Sequence, residues 1–203
     1  MRLERLSGVK GLYPASRATR FTGGGDCLDT KHALEKYNSK ERRRVVKHSK
    51  EMEDFLNQEA LREQESGLNT THLFIDTETD KIAAYVSLCN DSIRLEFEER
   101  DGLGLAYATV PAVKIARLAV STEYQGNGMG ESLIMFSAYM GRKIREISGL
   151  AFLTLDCYEH RVSFYEKVGF VKNLIQPIIL SYDSPISMRL GLDEYLERMQ
   201  KEL

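Results

Sequence analysis

The stretch LAVSTEYQGNGMGESL, residues 118–133, decides how this chain is read. Three glycines alternate at Gly126, Gly128 and Gly130. Apolar residues then return at helical spacing, at Met129, Leu133, Phe136, Met140, Ile144 and Ile147. Upstream, AVKIARLAV (residues 112–120) has the composition of a strand. A strand that runs through a glycine turn into a helix presents the unpaired amides of the first helical turn, and the helix dipole adds partial positive charge there. Glycines let a ligand approach that backbone without meeting a Cβ. The stretch therefore predicts an anion site suited to a phosphate or pyrophosphate, each amide bond to a charged oxygen contributing roughly 1.5–3 kcal/mol. Two familiar phosphate loops are excluded. No Lys followed by Ser or Thr closes the run, as a P-loop requires. The spacing is G-x-G-x-G rather than G-x-G-x-x-G, and the loop lies in mid-chain, unlike a dinucleotide fingerprint.

Working outward, residues 1–29 carry few periodic apolar positions, include Gly23, Gly24 and Gly25, and read as a loosely structured lead-in with room for one short strand. Residues 30–66 contain no Pro and no Gly. Met52, Phe55, Leu56 and Ala60 recur there at three- and four-residue steps, an amphipathic helix stopped by Gly67 and Asn69. Residues 73–76 and 82–89 read as a hairpin around TETDK (residues 77–81). DSIRLEFEERDGLGL (residues 91–105) reads as a strand end plus a loop, and a strand follows Pro111. The helix after the glycines is expected to end near Gly149. LAFLTLDCY (residues 150–158) is a buried strand, RVSFYEKV (residues 161–168) a short helix stopped by Gly169, and GFVK (residues 169–172) another strand. ISMRLGLDEYLERMQKEL (residues 186–203) supplies a last strand and a tail helix. This order predicts mixed α/β content on one sheet, with parallel pairing and a right-handed crossover across the strand–helix–strand unit of residues 113–157.

Composition sets the outer limits. The chain has 203 residues, 42% of them hydrophobic, enough for one globular domain with a sizeable core. No run of about 18 apolar residues predicts a membrane span, and the N-terminus lacks the apolar core of a secretory signal. Cys27, Cys89 and Cys157 are scattered and odd in number, which argues against a disulfide framework or a zinc site and fits a reducing cytoplasm. The net charge of -2 gives no global pull toward nucleic acid. The charge is uneven, however: KERRRVVKHSK (residues 40–50) is basic and EMEDFLNQEALREQE (residues 51–65) is acidic. A solvated helix face and a basic patch for RNA are both open readings of that pattern.

The Q-x-x-G-x-G pattern at Gln125, Gly126, Asn127, Gly128, Met129 and Gly130, together with FYEKVGF at residues 164–170, resembles the GNAT superfamily of N-acetyltransferases over roughly residues 50–190. Two separated motifs agree with that family in order, spacing and predicted structure. The resemblance implies a GNAT-like α/β fold: a mixed, mostly antiparallel central sheet with a splayed parallel pair, flanked by helices, with residues 30–203 as a single acetyltransferase domain. It implies acetyl-CoA as co-substrate and no metal. It also implies that the amides of Gln125, Gly126, Asn127, Gly128, Met129 and Gly130 hold the coenzyme A pyrophosphate, and that the exposed backbone of Leu118, Ala119 and Val120 pairs with the pantetheine arm.

Acetyl transfer from a thioester to an amine needs a neutral amine, a polarised carbonyl and a protonated leaving thiolate. Tyr165 matches the family's general acid; the alternative for it is a packed aromatic with a satisfied hydroxyl. No base is identifiable: Glu96, Glu98 and Glu99 are candidates, and a proton lost through water is the other route. His72 and His160 read as structural or exposed, and Cys157 as a small buried hydrophobe. Tyr158 and Arg161 stand where many members carry Asn and Ala, so the usual pantetheine contact through the Asn side chain is not expected, and Arg161 reads either as a contact to a coenzyme phosphate or as a surface residue.

The middle of the chain, DFLNQEALREQESGLNTTHLFIDTETDKIAAYVSL (residues 54–88) followed by PAVKIARLAVSTEYQGNGMGESL (residues 111–133), is similar to the acetyltransferase toxins that modify the α-amine of aminoacyl-tRNA. A pI near 6.1 runs against RNA binding, while Lys40, Arg42, Arg43, Arg44, Lys47 and Lys50 supply a local basic patch. The resemblance thus leaves a small-molecule or macromolecular amine acceptor, tRNA included, and a homodimer open. A housekeeping acetyltransferase and a non-catalytic coenzyme A-binding module are the alternatives.

Overall fold

A computed structural model describes residues 2–5, 21–23, 39–177 and 184–201, with side chains from residue 47 onward. Two compact units are built from interleaved stretches of chain. The first holds residues 1–88 and 116–134, the second residues 89–115 and 135–203. Strands β4 (Ile82–Arg94) and β5 (Thr109–Ser121) and helix α4 (Met129–Arg145) run from one unit into the other.

In the first unit, β1 (Arg2–Arg5) pairs antiparallel with β3 (Thr70–Ile75), and β3 pairs antiparallel with the first half of β4. β2 (Phe21–Gly23) lies off this path, antiparallel to the end of β5, with Phe21 opposite Ser121, Thr22 opposite Val120 and Gly23 opposite Ala119. Helix α1 (Ser39–Asp54) continues through a π turn (Phe55–Glu59) into α2 (Ala60–Glu65). The amphipathic stripe expected over this segment is present: Phe55, Leu56 and Ala60 are buried with Leu73, Ile75, Ile82, Tyr85 and Ala119, and Met52 packs against them. Burial of each large member contributes about 1.5–3 kcal/mol. The wide turn lies next to an intrusion into the helix ladder, because the buried Tyr85 hydroxyl donates to the Met52 carbonyl at 2.8 Å. The expected helical stretch of residues 30–38 lies outside the described residues. Gly67 ends α2 at a φ of 71°, a left-handed stop that suits glycine.

In the second unit, β5 pairs parallel with β6 (Phe152–Cys157) over Ala112, Val113 and Lys114, the parallel pair expected of residues 113–157. β8 (Ile186–Gly191) runs antiparallel to β6, and β7 (Val171–Lys172) antiparallel to β8. The sheet is mixed, with a single parallel ladder among the pairs described. Helix α5 (Val162–Val168) and the tail helix α6 (Leu192–Lys201) appear where expected.

Four expectations are corrected. Residues 97–102 form a helix, α3 (Phe97–Gly102), instead of a loop; it is nucleated by a reciprocal capping box between Glu96 and Glu99. β4 runs unbroken from Ile82 to Arg94, so the strand end read at the start of residues 91–105 is present and continues the strand expected to stop at Cys89. Pro111 lies inside β5 instead of ahead of it; its side chain is exposed, and its carbonyl accepts from the Ala151 amide at 3.0 Å. α4 stops at Arg145, and Ile147, the last residue of the apolar repeat, is 91% exposed. Among the described residues no helix is long and apolar enough to cross a membrane.

Gly169 caps α5 at a φ of 113°, and a Cβ there would lie 2.9 Å from Arg198 Nη1, which is itself held near the Val168 carbonyl by Arg198 Nη2. The guanidinium end can yield, so the backbone angle carries most of the cost. Gly169→Ala is expected to lose about 1–3 kcal/mol of stability. The check is a lower urea midpoint with an unchanged slope.

Candidate active site

The glycine loop belongs to the first unit. β5 ends at Ser121, a single 3-10 turn covers Thr122–Tyr124, and α4 begins at Met129. Gly126 and Gly128 have φ of 80° and 73°, values that L side chains rarely adopt, and a Cβ on Gly128 would meet nothing within 4 Å. Gly126, Asn127 and Gly128 are exposed, and Met129 and Gly130 half-buried. This is an open backbone cradle leading directly into the N-terminus of a 17-residue helix. The far side of the loop is anchored by Ser132, whose amide and hydroxyl both donate to the Gly128 carbonyl, at 3.0 and 3.2 Å.

Gln125 opens the motif, yet its side chain turns back: Nε2 donates to the Val120 carbonyl at 2.9 Å. The residue thus fastens the loop to β5 and brings together two of the predicted stretches, the strand and the glycines. The side chains of Leu118, Ala119 and Val120 are all buried. The backbone stretch assigned to the pantetheine arm lies in register with β2 at Ala119 and Val120.

The segment ahead of the loop is held by residues that sequence reasoning passed over. Tyr124 Oη donates to Asp76 Oδ2 at 2.6 Å, and Lys81 pairs with Glu123 at 2.8 Å. TETDK was legible only as a turn. That it meets Thr122–Tyr124, more than 40 residues later, had no local signal.

Tyr165 belongs to the second unit, on α5, buried to 6% exposure. Phe164 and Phe170 meet its ring edge-on, with centroids at 5.0 and 5.5 Å. Among the described residues none is hydrogen-bonded to its hydroxyl. Burial, and secondarily the nearby Cys157, push the phenol above its ordinary range, with Arg161 opposing. The group is therefore a proton donor held in its protonated form at neutral pH. Cys157 is buried, its Sγ 3.5 Å from Met188 Sδ, and burial followed by the charges of Asp156 and Glu159 pushes its thiol up to about 12. An inert, protonated small hydrophobe is the result, as expected.

The three candidate bases separate. Glu99 is ion-paired to Arg189 and accepts from the Leu174 amide at 3.2 Å. Glu96 caps α3, and Glu98 is exposed on its first turn. His72 is buried, as the structural reading required, and His160 is half-buried and stacked on Tyr158 with centroids 6.0 Å apart. Arg161 is buried at 8% exposure and is not a surface residue.

The second unit also carries a polar stripe across β4, β5 and β6. Thr154 Oγ1 donates to Asp91 at 2.5 Å, and Lys114 pairs with Asp156 at 2.6 Å. Burial alone would lower the Lys114 pKa, but the bond and charge of Asp156, then Asp91, hold it above the ordinary value. Lys114 is thus a fixed cation and not a base. In the basic stretch, Lys47 and Lys50 are exposed on α1, and Lys47 pairs with Glu51 one turn on at 3.7 Å. The side chains of Lys40, Arg42, Arg43 and Arg44 lie outside the described residues.

A family profile described as "Acetyltransferase (GNAT) domain" matches residues 33–178. Among solved structures, the chain is similar to the toxin AtaT in complex with acetyl-methionyl-tRNA, at 15% identity over 98% of each chain and a TM-score of 0.61. It is similar to a bacterial toxin at 17% identity, over 73% of this chain and 82% of that one, TM-score 0.63. It is also similar to a tyrosine-to-phenylalanine mutant of KacT at 17% identity, over 73% and 86%, TM-score 0.63. At these identities the structural likenesses establish the fold. The profile spans most of the chain, and with it the chain belongs to the GNAT acetyltransferases, as an acetyl-CoA-dependent N-acetyltransferase.

Proposed function

We propose that the protein transfers the acetyl group of acetyl-CoA directly to the α-amine of an aminoacyl-tRNA, in a ternary complex and with no acetyl-enzyme intermediate. One observation carries the choice of acceptor. The likeness to AtaT runs over 98% of both chains, so it takes in the N-terminal residues as well as the acetyltransferase segment, and AtaT is solved with acetyl-methionyl-tRNA. In this reading the amides from Gln125 to Gly130 receive the pyrophosphate. The backbone of Leu118, Ala119 and Val120 receives the pantetheine arm, and the arm and β2 are alternatives for any backbone group they share.

The amine nitrogen attacks the thioester carbonyl, the C–N bond forms and the C–S bond breaks. The proton lost by the amine passes to water. The departing thiolate takes a proton from the Tyr165 hydroxyl, which recovers one from solvent. The reaction is cytoplasmic, where charged tRNA is made. The basic residues of α1 supply the RNA with local positive charge that the net charge of -2 hides.

The test is transfer from labelled acetyl-CoA to a pool of charged tRNA beside a panel of small amines. Label is expected on the aminoacyl group of tRNA, released when the ester is hydrolysed. Label on small amines alone would overturn the acceptor and leave the enzyme class intact.

A further inference from the structure

The hairpin turn between β3 and β4 grips the short segment that feeds the glycine loop. Asp76 lies at the centre of the grip. Its Oδ2 accepts from the Tyr124 hydroxyl at 2.6 Å and from Thr79 Oγ1 at 2.7 Å, and its Oδ1 accepts from the Glu78 amide at 3.0 Å. Thr79 Oγ1 also lies 3.1 Å from Tyr124 Oη. Lys81 and Glu123 add an ion pair beside it. The next residue after Tyr124 is Gln125, whose side chain holds the Val120 carbonyl. The loop entrance is therefore tied at two points, to the hairpin and to its own strand, and Ser132 ties the exit.

Little of this serves the core. Thr79, Lys81 and Glu123 are exposed, and Asp76 and Tyr124 half-buried. Exposed ion pairs and hydrogen bonds contribute little to stability. The turn closes through Asp80 at a φ of 52°, left-handed backbone that Asp enters readily. The tie is also durable. The bonds from Tyr124, Thr79 and Glu78, in that order, hold the Asp76 carboxyl near 2, so it stays ionised across any working pH. The same bond raises Tyr124, which keeps its hydroxyl a donor.

We propose that Asp76 and Tyr124 are positioning residues for acetyl-CoA: their hydrogen bond fixes the entrance of the glycine loop, so that the amides from Gly126 to Gly130 are aligned before the pyrophosphate arrives. The inference rests on the loop being the pyrophosphate site. Three donors around Asp76 take up both of its carboxylate oxygens and hold it in place beside the loop entrance. A pre-aligned loop does not have to be ordered at the moment of binding, which favours affinity without touching the chemical step.

The test uses full-length Tyr124→Phe and Asp76→Asn. Affinity is measured by calorimetry for acetyl-CoA and for acetyl-pantetheine, which lacks the pyrophosphate, alongside steady-state kinetics and thermal unfolding. Each variant is expected to bind acetyl-CoA about tenfold more weakly, a change of ~1.4 kcal/mol. KM for acetyl-CoA should rise with kcat kept, and acetyl-pantetheine affinity and the unfolding temperature should stay as in the parent. Unchanged acetyl-CoA affinity overturns the inference. So does an equal loss for both ligands, which would mark a general loosening of the fold. Gly128→Asp separates the two levels. If it weakens acetyl-CoA while Tyr124→Phe does not, only the positioning role falls; if it has no effect, the loop is not the pyrophosphate site and both readings fall.

Discussion

Tyr165→Phe is expected to lower kcat by about 10²–10⁴-fold, the usual contribution of a positioned acid, with acetyl-CoA affinity unchanged. The hydroxyl is the only group removed. The ring remains, with its edge contacts to Phe164 and Phe170. Burial raises the phenol pKa, so the parent enzyme should show no loss of kcat from this group below about pH 10, the unperturbed tyrosine value. The stability linkage has the matching sign. A tyrosine whose folded pKa is raised contributes fully below its unfolded pKa, and that contribution fades as pH rises from there toward the folded value. Tyr85, raised by burial in the same direction, adds to the loss. Alkaline unfolding should therefore begin above about pH 10. Stopped-flow and steady-state assays on the two proteins decide the matter: equal turnover removes Tyr165 from the chemistry and leaves it a core aromatic.

Gly128→Asp is expected to weaken acetyl-CoA binding roughly 10- to 150-fold, which is the loss of one charge-assisted hydrogen bond of ~1.5–3 kcal/mol. The site has room for the side chain, and the backbone angle adds a strain cost of about 1 kcal/mol. A Cβ on Gly128 meets no atom within 4 Å, and Asp is among the residues that enter left-handed backbone most readily. The new carboxylate occupies the open space before the loop, where it repels the pyrophosphate. The fold should survive with a slightly lowered unfolding temperature, so calorimetry well below that transition is a clean readout. Undiminished affinity would move the pyrophosphate elsewhere.

The parts of the fold that could be read from sequence are those with strong local signals. The glycine run, the apolar repeat from Met129 to Ile144 and the Gly169 stop each state their own geometry, and all three are present. Three features escaped for identifiable reasons. α3 starts on a Glu cap, where Ser, Thr, Asp and Asn are the usual signals. β4 runs on through Asn90, Asp91 and Ser92, residues depleted in strands; here Asp91 is kept in the strand by a partner on β6, Thr154. Ile147 continues the helical period by coincidence, two residues after the helix has ended. The site was half legible for the same reason. Glycine spacing announces an open left-handed loop ahead of a helix, but a tie such as Asp76 to Tyr124 depends on two distant residues meeting, and no local pattern records it.

The pairing of β2 with β5 also sets an order of events during synthesis. Phe21 finds its partner in Ser121, 100 residues later, and Arg2 finds Ile75. At about 5–20 residues per second, the ribosome has emitted Phe21 for about 5–20 s before Ser121 exists. Helix α1 forms from local contacts in far less time than that. The two earliest strands thus each wait for a partner made far downstream, and the nascent chain spends seconds with two strand-forming segments that have nothing to pair with except other chains.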